Sequence, residues 1–498
     1  MNTEADPTPG LVVNLAWTVG TIVGSRLVTL AGLAVLARLL APAEFGLMAF
    51  ALVYITYVTA VGDLGTGTAL VYWPSRRDDA AQVTFVVSVV MGVFWLAATL
   101  AMAPAVAAFF HNPGGQPLLR ALAWTFPIQA LGATHEALCR KSLRFRAWLV
   151  PEFALAGVKA IVSVGLAAAG LGVWSLVWGQ LAGQVLRTVL LWTIVPWHPS
   201  ARLPRDLVGP MFVYGRSIVG VNVLSAIVHH LDVLIIARAL GTTALGFYQL
   251  GAKIPEVTVT LLVRGVSYVI FPALSRVHAE CRDLSGTYLP TLRGVGLATI
   301  PGAAAVVVLA EPLVLLLFGT RWTPSIPVVQ ALTIAACLRA LGTHAGDLLK
   351  AVGRPDVLVV LASLKAVALL PALLLAARRG MVAVAAATVA VGALSMVLNL
   401  WLSCRHTRMG ARAVLEALRP GVTTAAAVTV ALLTWRAALG PAGLLVTLSS
   451  SLVVVLSASL FVLRWADPEV FGLVLDGCRR VIAHMRTTPA RLARASLP

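Results

Sequence analysis

Basic side chains recur inside segments that are otherwise uncharged: Arg26, Lys159, Arg187, Arg216, Lys253, Arg264, Arg339 and Lys365. The acids in such segments are fewer, namely Asp63, Glu136, Glu152, Asp232, Glu256, Glu311 and Asp347, and His229 and His230 stand beside Asp232. Charge in an apolar segment is costly and faces the interior of a bundle or a polar path, so each such residue marks a place where something polar is held or passed. A surplus of Arg and Lys suits an anion, above all phosphate oxygens, which both side chains hold by charge-assisted hydrogen bonds. Arg26, Arg216, Lys253 and Arg264 are the candidate set for such a headgroup. The competing reading neutralises each by an acid or draws it to the interface. Lys253 and Glu256, three apart on one helix face, are expected to pair. Asp232 with His229 and His230 is the candidate for proton coupling, since imidazole titrates near neutrality; two solvated histidines are the plainer alternative. Asp63, in Asp63-Leu64-Gly65, and Glu311, in Glu311-Pro312, read as structural charges.

Other chemistries find no support. No Ser/His/Asp set, Walker loop or zinc spacing occurs. The five cysteines, Cys139, Cys281, Cys337, Cys404 and Cys478, form no C-x-x-C pair and read as reduced thiols. No catalytic group, metal or cofactor is expected. A membrane glycosyltransferase or polysaccharide polymerase, the rival from the enzyme class, needs acidic residues or metal ligands on large outer loops. The outer loops expected here are short, and Glu44 is their clearest carboxylate.

The elements that must position the charges are membrane helices. Of 498 residues, 59% are hydrophobic and only 12% charged, and the mean hydropathy is +0.90. A soluble protein carries about 25% charged residues. Apolar runs long enough to span a bilayer fall at approximately 12–38, 45–72, 82–110, 118–138, 147–169, 172–195, 210–239, 245–273, 290–318, 325–349, 356–377, 380–403, 415–436 and 441–463. The expected fold is therefore an all-α polytopic membrane protein of about fourteen transmembrane helices. With the N-terminus inside, Arg and Lys on inner loops and tail outnumber those outside by roughly three to one, which places both termini in the cytoplasm. That bias accounts for the net charge of +18 without nucleic acid, for which no binding motif appears. The stretch Met1 to Gly10 lacks the basic start of a signal peptide. Trp73, Trp174, Trp197, Trp322 and Trp435, near span ends, read as an aromatic belt. In the tail, Phe471, Val474, Leu475, Cys478, Val481 and Ile482 oppose Arg479 and Arg480, the pattern of a helix lying on the inner leaflet.

The chain also repeats itself. Ala37-Arg38-Leu39-Leu40-Ala41-Pro42-Ala43-Glu44-Phe45-Gly46 returns about 200 residues later as Ala237-Arg238-Ala239-Leu240-Gly241-Thr242-Thr243-Ala244-Leu245-Gly246. Leu131-Gly132, Leu138, Arg140 and Arg144 answer Leu341-Gly342, Leu348, Lys350 and Arg354, and Gly172-Val173-Trp174 answers Gly380-Met381-Val382. The expected organisation is an N-lobe over 1–200 (spans 1–6) and a C-lobe over 205–408 (spans 7–12). Two additional spans over 412–464 and a basic cytoplasmic tail over 465–498 complete it. Parallel repeats of this kind build carriers whose lobes rock about a central site.

Several stretches resemble the polysaccharide exporter family of lipid-linked oligosaccharide flippases, within the multidrug/oligosaccharidyl-lipid/polysaccharide superfamily. They are Leu36-Ala37-Arg38-Leu39-Leu40 through Glu44-Phe45-Gly46; Asp63-Leu64-Gly65-Thr66-Gly67-Thr68-Ala69-Leu70-Val71; Leu231-Asp232-Val233-Leu234-Ile235-Ile236-Ala237-Arg238; Gly246-Phe247-Tyr248; Phe271-Pro272-Ala273-Leu274-Ser275-Arg276; and Phe318-Gly319-Thr320-Arg321-Trp322-Thr323-Pro324. The resemblance covers about residues 12–405, and its nearest branch is similar to exporters of exopolysaccharide or lipopolysaccharide repeat units. It implies a bacterial cytoplasmic-membrane flippase carrying undecaprenyl-diphosphate-linked oligosaccharide outward by alternating access, with Arg26 and Arg216 on cavity-lining helices. The implied partners are that lipid-linked oligosaccharide, membrane lipids, a polysaccharide polymerase and glycosyltransferases. One chain holding both lobes is expected to work as a monomer. The same fold serves multidrug-type antiporters, so fold alone does not choose the cargo; the surplus of buried cations disfavours cationic drugs.

Overall fold

Each expected span contains helix in the computed structural model, which describes residues 8–73, 76–142, 145–200, 203–260, 270, 274–278, 280, 283–407, 409–440 and 443–466. Arg264, Phe271-Pro272-Ala273, Cys281, Cys478 and the amphipathic tail lie outside the described residues. The helices are α1 (Thr8–Leu39), α2 (Pro42–Val61), α3 (Thr66–Tyr72), α4 (Arg77–Phe109), α5 (Gly115–Leu122), α6 (Thr125–Lys141), α7 (Phe145–Ala168), α8 (Val173–Ile194), α9 (Arg205–Ala239) and α10 (Gly241–Pro255). They continue as α11 (Ser285–Val308), α12 (Ala310–Leu317), α13 (Ile326–Ala351), α14 (Pro355–Ala377), α15 (Met381–Thr407), α16 (Ala411–Leu439) and α17 (Leu444–Ala466). A π-helical turn, Glu256–Thr260, follows α10, and a 3-10 turn, Thr320–Ser325, leads into α13. Hydrocarbon offers no hydrogen bonds, so a segment that crosses it must satisfy its backbone internally, as these helices do. Large apolar side chains such as Val90, Phe94, Ile161, Val367, Leu445, Val453 and Phe461 are exposed, the surface that lipid covers.

Among the described residues, ten helical segments are long and apolar enough to cross a membrane. The other expected spans fall short for local reasons. Helix α1 is described only in part. The span expected at 118–138 is two helices, α5 and α6, divided at Ala123–Trp124. Helix α8 carries Gln180, Gln184 and Arg187, and the span expected at 245–273 stops being regular α-helix at Pro255. The span expected at 45–72 is likewise divided, because Leu64 (φ 52°) and Gly65 (φ 76°) adopt left-handed backbone between α2 and α3.

The chain packs as two units. The first holds residues 1–257, 317–335 and 355–395. Its core gathers Leu70, Val83, Leu138, Leu191 and Met211, and small residues let helices approach closely. A methyl group added at Gly92 would stand 2.7 Å from the Ala130 Cβ, and one at Gly32 2.8 Å from the Ala160 Cβ. The second unit holds 258–316, 336–354 and 396–498. Tyr288, Leu292, Leu341, Leu348 and Val414 form its core, and α11 packs on α16 with Gly421 against the Gly296 carbonyl. Arg436 fastens this pair, donating to the Val308 carbonyl at 2.9 Å and to Glu311 at 3.1 Å. These packing boundaries are drawn by contact, whereas the lobes 1–200 and 205–408 are drawn by repeat.

Candidate functional site

Pro255 closes α10 without a backbone donor, and the helix widens into the π turn that begins at Glu256. Such turns are uncommon and concentrate at functional positions. Glu256 is held from two sides. Arg26, on α1, donates to Oε1 at 3.1 Å, and Lys253, one turn earlier on α10, donates to Oε2 at 2.8 Å. The pairing expected from the spacing of Lys253 and Glu256 is present, but Arg26 reaches the same acid across 230 residues of chain. None of the three is sealed off: their side chains are 40%, 39% and 42% exposed for Arg26, Glu256 and Lys253.

Two further helices supply charge. Lys159 of α7 lies within Coulombic reach of Lys253 and, among the described residues, has no hydrogen-bond or ion-pair partner. His230 of α9 lies within reach of Lys253, Glu256 and Asp232, with its ring edge towards Tyr57 at 6.5 Å between centroids. Arg26 and Lys253 therefore share one carboxylate while Lys159 stands within Coulombic reach of Lys253, so these three cations outnumber the acid that holds two of them. Cations on separate helices can each take a different oxygen, so the chemistry of such a group suits an anion with several oxygens.

The remaining candidates are placed differently. Asp232 is engaged, accepting from the Tyr248 hydroxyl at 2.5 Å and from the Val233 amide at 2.8 Å. His229 is exposed and turns its Nδ1 to the Ser225 carbonyl at 2.8 Å. Asp63 accepts from the amides of Gly65 and Gly67, both at 3.0 Å, which fixes the break between α2 and α3. Arg216 is exposed, has no hydrogen-bond or ion-pair partner among the described residues, and stands about 21 Å along α9 from His230. Arg187 is 11% exposed and bound to Glu136 at 2.8 Å and Glu152 at 2.7 Å. Glu136 also takes Arg140. Glu256 and Lys159 are among the charges that the sequence places in apolar segments but not in the candidate set Arg26, Arg216, Lys253 and Arg264; the Pro-Glu step at the end of α10 was the available signal for Glu256.

Helix contacts bracket the cluster. At one end, Leu64-Gly65 lies on Gly215 of α9, so close that a Cβ at Gly215 would stand 2.1 Å from the Leu64 carbonyl oxygen. Tyr72 stacks on Tyr214 with centroids 4.8 Å apart. Arg76, itself in left-handed backbone (φ 51°), is bound by Asp206 and by Asp79, and those carboxylates hold its guanidinium above the ordinary arginine value. At the other end of α9, the turn into α10 meets the turn from α1 into α2 through Gly46 and Gly246. Trp322 closes over that contact. It is fully buried, donates from Nε1 to the Ala37 carbonyl at 2.8 Å, and meets Phe45 and Phe247 edge-on at 5.2 and 5.7 Å. The aromatic-belt reading fails for Trp322, and also for Trp197, which packs in the core of the first unit; each finds partners in protein and has no face left for the interface.

Among the described residues no group of three or more His, Cys, Asp and Glu is arranged to hold a metal ion. The lipopolysaccharide biosynthesis protein WzxC of Escherichia coli (strain K12) is 25% identical over 332 residues, 65% of this chain and 66% of that protein. The succinoglycan biosynthesis transport protein ExoT of Rhizobium meliloti (strain 1021) is 24% identical over 357 residues, 71% of this chain and 72% of that one. The match thus spans about two thirds of these relatives' own length. Two solved structures share the fold: the lipid II flippase MurJ in an inward closed conformation, with a TM-score of 0.74 at 13% identity over 90% of this chain and 99% of that one, and an inward-facing multidrug resistance MATE family transporter of the MOP superfamily, with a TM-score of 0.65 at 15% identity over 77% and 94%. Residues 35–327, from the end of α1 into the start of α13, match the family described as polysaccharide biosynthesis protein, and the chain belongs to that family.

Proposed function

We propose that this protein is a flippase, carrying undecaprenyl-diphosphate-linked oligosaccharide repeat units from the inner to the outer face of the bacterial cytoplasmic membrane for exopolysaccharide, capsule or lipopolysaccharide assembly. One observation carries the reading. Arg26 and Lys253, drawn from two halves of the chain, converge on Glu256 in a position open enough to receive a ligand, and Lys159 stands within Coulombic reach of Lys253. A diphosphate headgroup brings several anionic oxygens, which such a cluster accommodates better than a neutral sugar or a cationic drug. Arg216, about 21 Å further along α9, serves as a second phosphate station on the route, and Arg264 belongs to the same set by its place in the sequence. With both termini in the cytoplasm, the Gly65–Gly215 contact closes the inner entrance and the Gly46–Gly246 contact the outer one. Alternating access then consists of opening one while the other holds. The chain works as a monomer and hands its cargo from glycosyltransferases to a polymerase.

The test is genetic and chemical. Deletion is expected to trap lipid-linked repeat units on the inner leaflet. Wild type restores export, whereas Arg26→Ala and Lys253→Ala at equal protein level leave at least tenfold more trapped precursor, the effect of losing about 1.4 kcal/mol of headgroup binding. Normal outward delivery in the deletion strain, with only polymer length altered, overturns the flippase reading in favour of a polymerase role.

A further inference from the structure

A second polar cluster lies in the other packing unit, away from any role so far assigned. Tyr288 of α11, His344 and Asp347 of α13 are 0%, 1% and 3% exposed. Tyr288 and His344 stack with centroids 5.2 Å apart and planes 12° from parallel, and Asp347 is within Coulombic reach of both. Each holds one buried polar atom with no hydrogen-bond partner among the described residues: the Tyr288 hydroxyl, His344 Nε2 and Asp347 Oδ2. A buried polar atom left unpaired costs about 1–3 kcal/mol, and three converging in one cluster offer a proton or a polar group ready partners. The other Asp347 oxygen is held by Lys350 at 3.0 Å, and that lysine is 48% exposed.

We propose that His344 and Asp347, walled by Tyr288, form a proton-binding site whose occupancy exchanges the Lys350–Asp347 ion pair for an imidazolium–carboxylate pair. The His344 Nε2 lone pair takes the proton. Asp347 turns to the new cation, and Lys350 moves its ammonium into water, so the buried interior stays neutral in both states. A hard metal cation needs about six oxygen ligands, which three side chains do not supply; a proton needs one lone pair.

The surroundings are consistent with a single titrating unit. From α15 the cluster meets Cys404 and Ser403, whose hydroxyl donates to the Ala345 carbonyl at 3.0 Å. The other charged or titratable groups of these helices are Arg293 on α11, Cys337 and Arg339 on α13, and Arg405 and His406 on α15, and the helical segment 274–278, whose Leu274 joins the same core, carries Arg276 and His278. On α16, Val414 and Ala417 line the adjoining core; Arg412 is paired with Glu416 at 2.9 Å and Arg436 with Glu311 at 3.1 Å, and Arg419 completes that helix. A related histidine in the first unit lacks this freedom at its Nε2: His135, buried on α6, turns that atom to the Trp197 carbonyl at 3.2 Å. The proposal depends on the transport reading only for its consequence, which is coupling of export to a proton gradient.

The test needs no cargo. Full-length protein in phosphatidylethanolamine and phosphatidylglycerol vesicles, adsorbed on a solid-supported membrane, is stepped from about pH 8 downward to about pH 3, a range wide enough to reach a buried imidazole as well as an exposed one. Wild type is expected to give a transient inward charge movement that His344→Gln abolishes. Asp347→Asn, by withdrawing the counter-charge, is expected to move the pH at which the current appears downward by about one unit or more. Lys350→Gln is expected to move it upward, since Asp347 is then free before the proton arrives. A sodium step at constant pH is expected to give no current. Both His344→Gln and Asp347→Asn must elute as the same monodisperse species as wild type; if His344→Gln does not, the two opposite shifts at Asp347 and Lys350 decide the matter. A full current in folded His344→Gln overturns the proposal, as does a current lost in His230→Gln and kept in His344→Gln, or a sodium current removed by Asp347→Asn. Failure here leaves the flippase reading standing, and failed export with this current intact overturns the flippase reading alone.

Discussion

Gly46 and Gly246 hold each other's helices at backbone distance, in a contact that is the same from both sides. A Cβ on Gly46 would stand 1.7 Å from the Thr242 carbonyl oxygen, and a Cβ on Gly246 would stand 1.9 Å from the Pro42 carbonyl oxygen. The two glycines occupy matching places in the repeated motif, so the repeat persists at these positions for a physical reason: any side chain would part α2 from α10.

Gly46→Ala is therefore expected to open the seal on that side. Overpacking of this kind costs about 1–3 kcal/mol, and no flexible side chain stands opposite to give way, only backbone. The check is labelling of a cysteine placed at Ala41 by a membrane-impermeant maleimide, with thermal unfolding of the purified protein alongside. Faster labelling and a lower melting temperature are expected in Gly46→Ala and Gly246→Ala alike. Unchanged labelling in both would show that the contact is incidental.

Arg187 and Arg26 separate a structural cation from a functional one. Arg187 is 11% exposed and is shared by Glu136 and Glu152, so Arg187→Leu takes the common cation from two carboxylates in the helix bundle. Removing one partner of a buried ion pair costs about 3–5 kcal/mol, enough to empty the membrane of folded protein. Arg26 is 40% exposed, and pairs at such exposure contribute about 0–1 kcal/mol. Arg26→Ala is expected to accumulate at wild-type level and fail in export; Arg187→Leu is expected to be missing from the membrane fraction. Quantitative immunoblotting of both settles it, and equal abundance of the two variants would refute the distinction.

The helices were legible because lipid leaves the backbone one inexpensive solution, and long apolar runs announce it. Membership of the polysaccharide exporter family was legible too, from motifs whose order and spacing survive where identity is low. The breaks were harder. Asp63-Leu64-Gly65 reads as the tail of one span, yet the Asp63 carboxylate collects two amides and starts a new helix there. Trp322 reads as an interface residue because its place in the sequence is a span end, while its burial depends on Ala37, Phe45 and Phe247 arriving from elsewhere. The cluster shows the same limit. The i,i+3 spacing of Lys253 and Glu256 is written in the local sequence, but nothing local links Arg26 to Glu256. That contact exists only once α1 and the π turn share a neighbourhood, and periodicity carries no information about which helices do so.

Glu256 supplies the last prediction because its sign is opposite to that of its partners. If the cluster binds a diphosphate, the carboxylate repels the ligand while it steadies Arg26 and Lys253. Two unit charges about 5 Å apart interact by about 1–3 kcal/mol across the range from bulk water to a partly screened protein surface. Glu256→Gln is thus expected to tighten binding of a short-chain polyprenyl diphosphate by roughly five- to 150-fold in a thermophoresis titration of the purified protein, while Arg26→Ala weakens it. Export by Glu256→Gln is expected to fall despite the tighter binding, because a carrier must also let go, and a ligand that no carboxylate displaces dissociates slowly. Weaker binding in Glu256→Gln would reverse the assignment: the acid would then be the group that organises the cations, and its charge would matter less to the ligand than the geometry it imposes on Arg26 and Lys253.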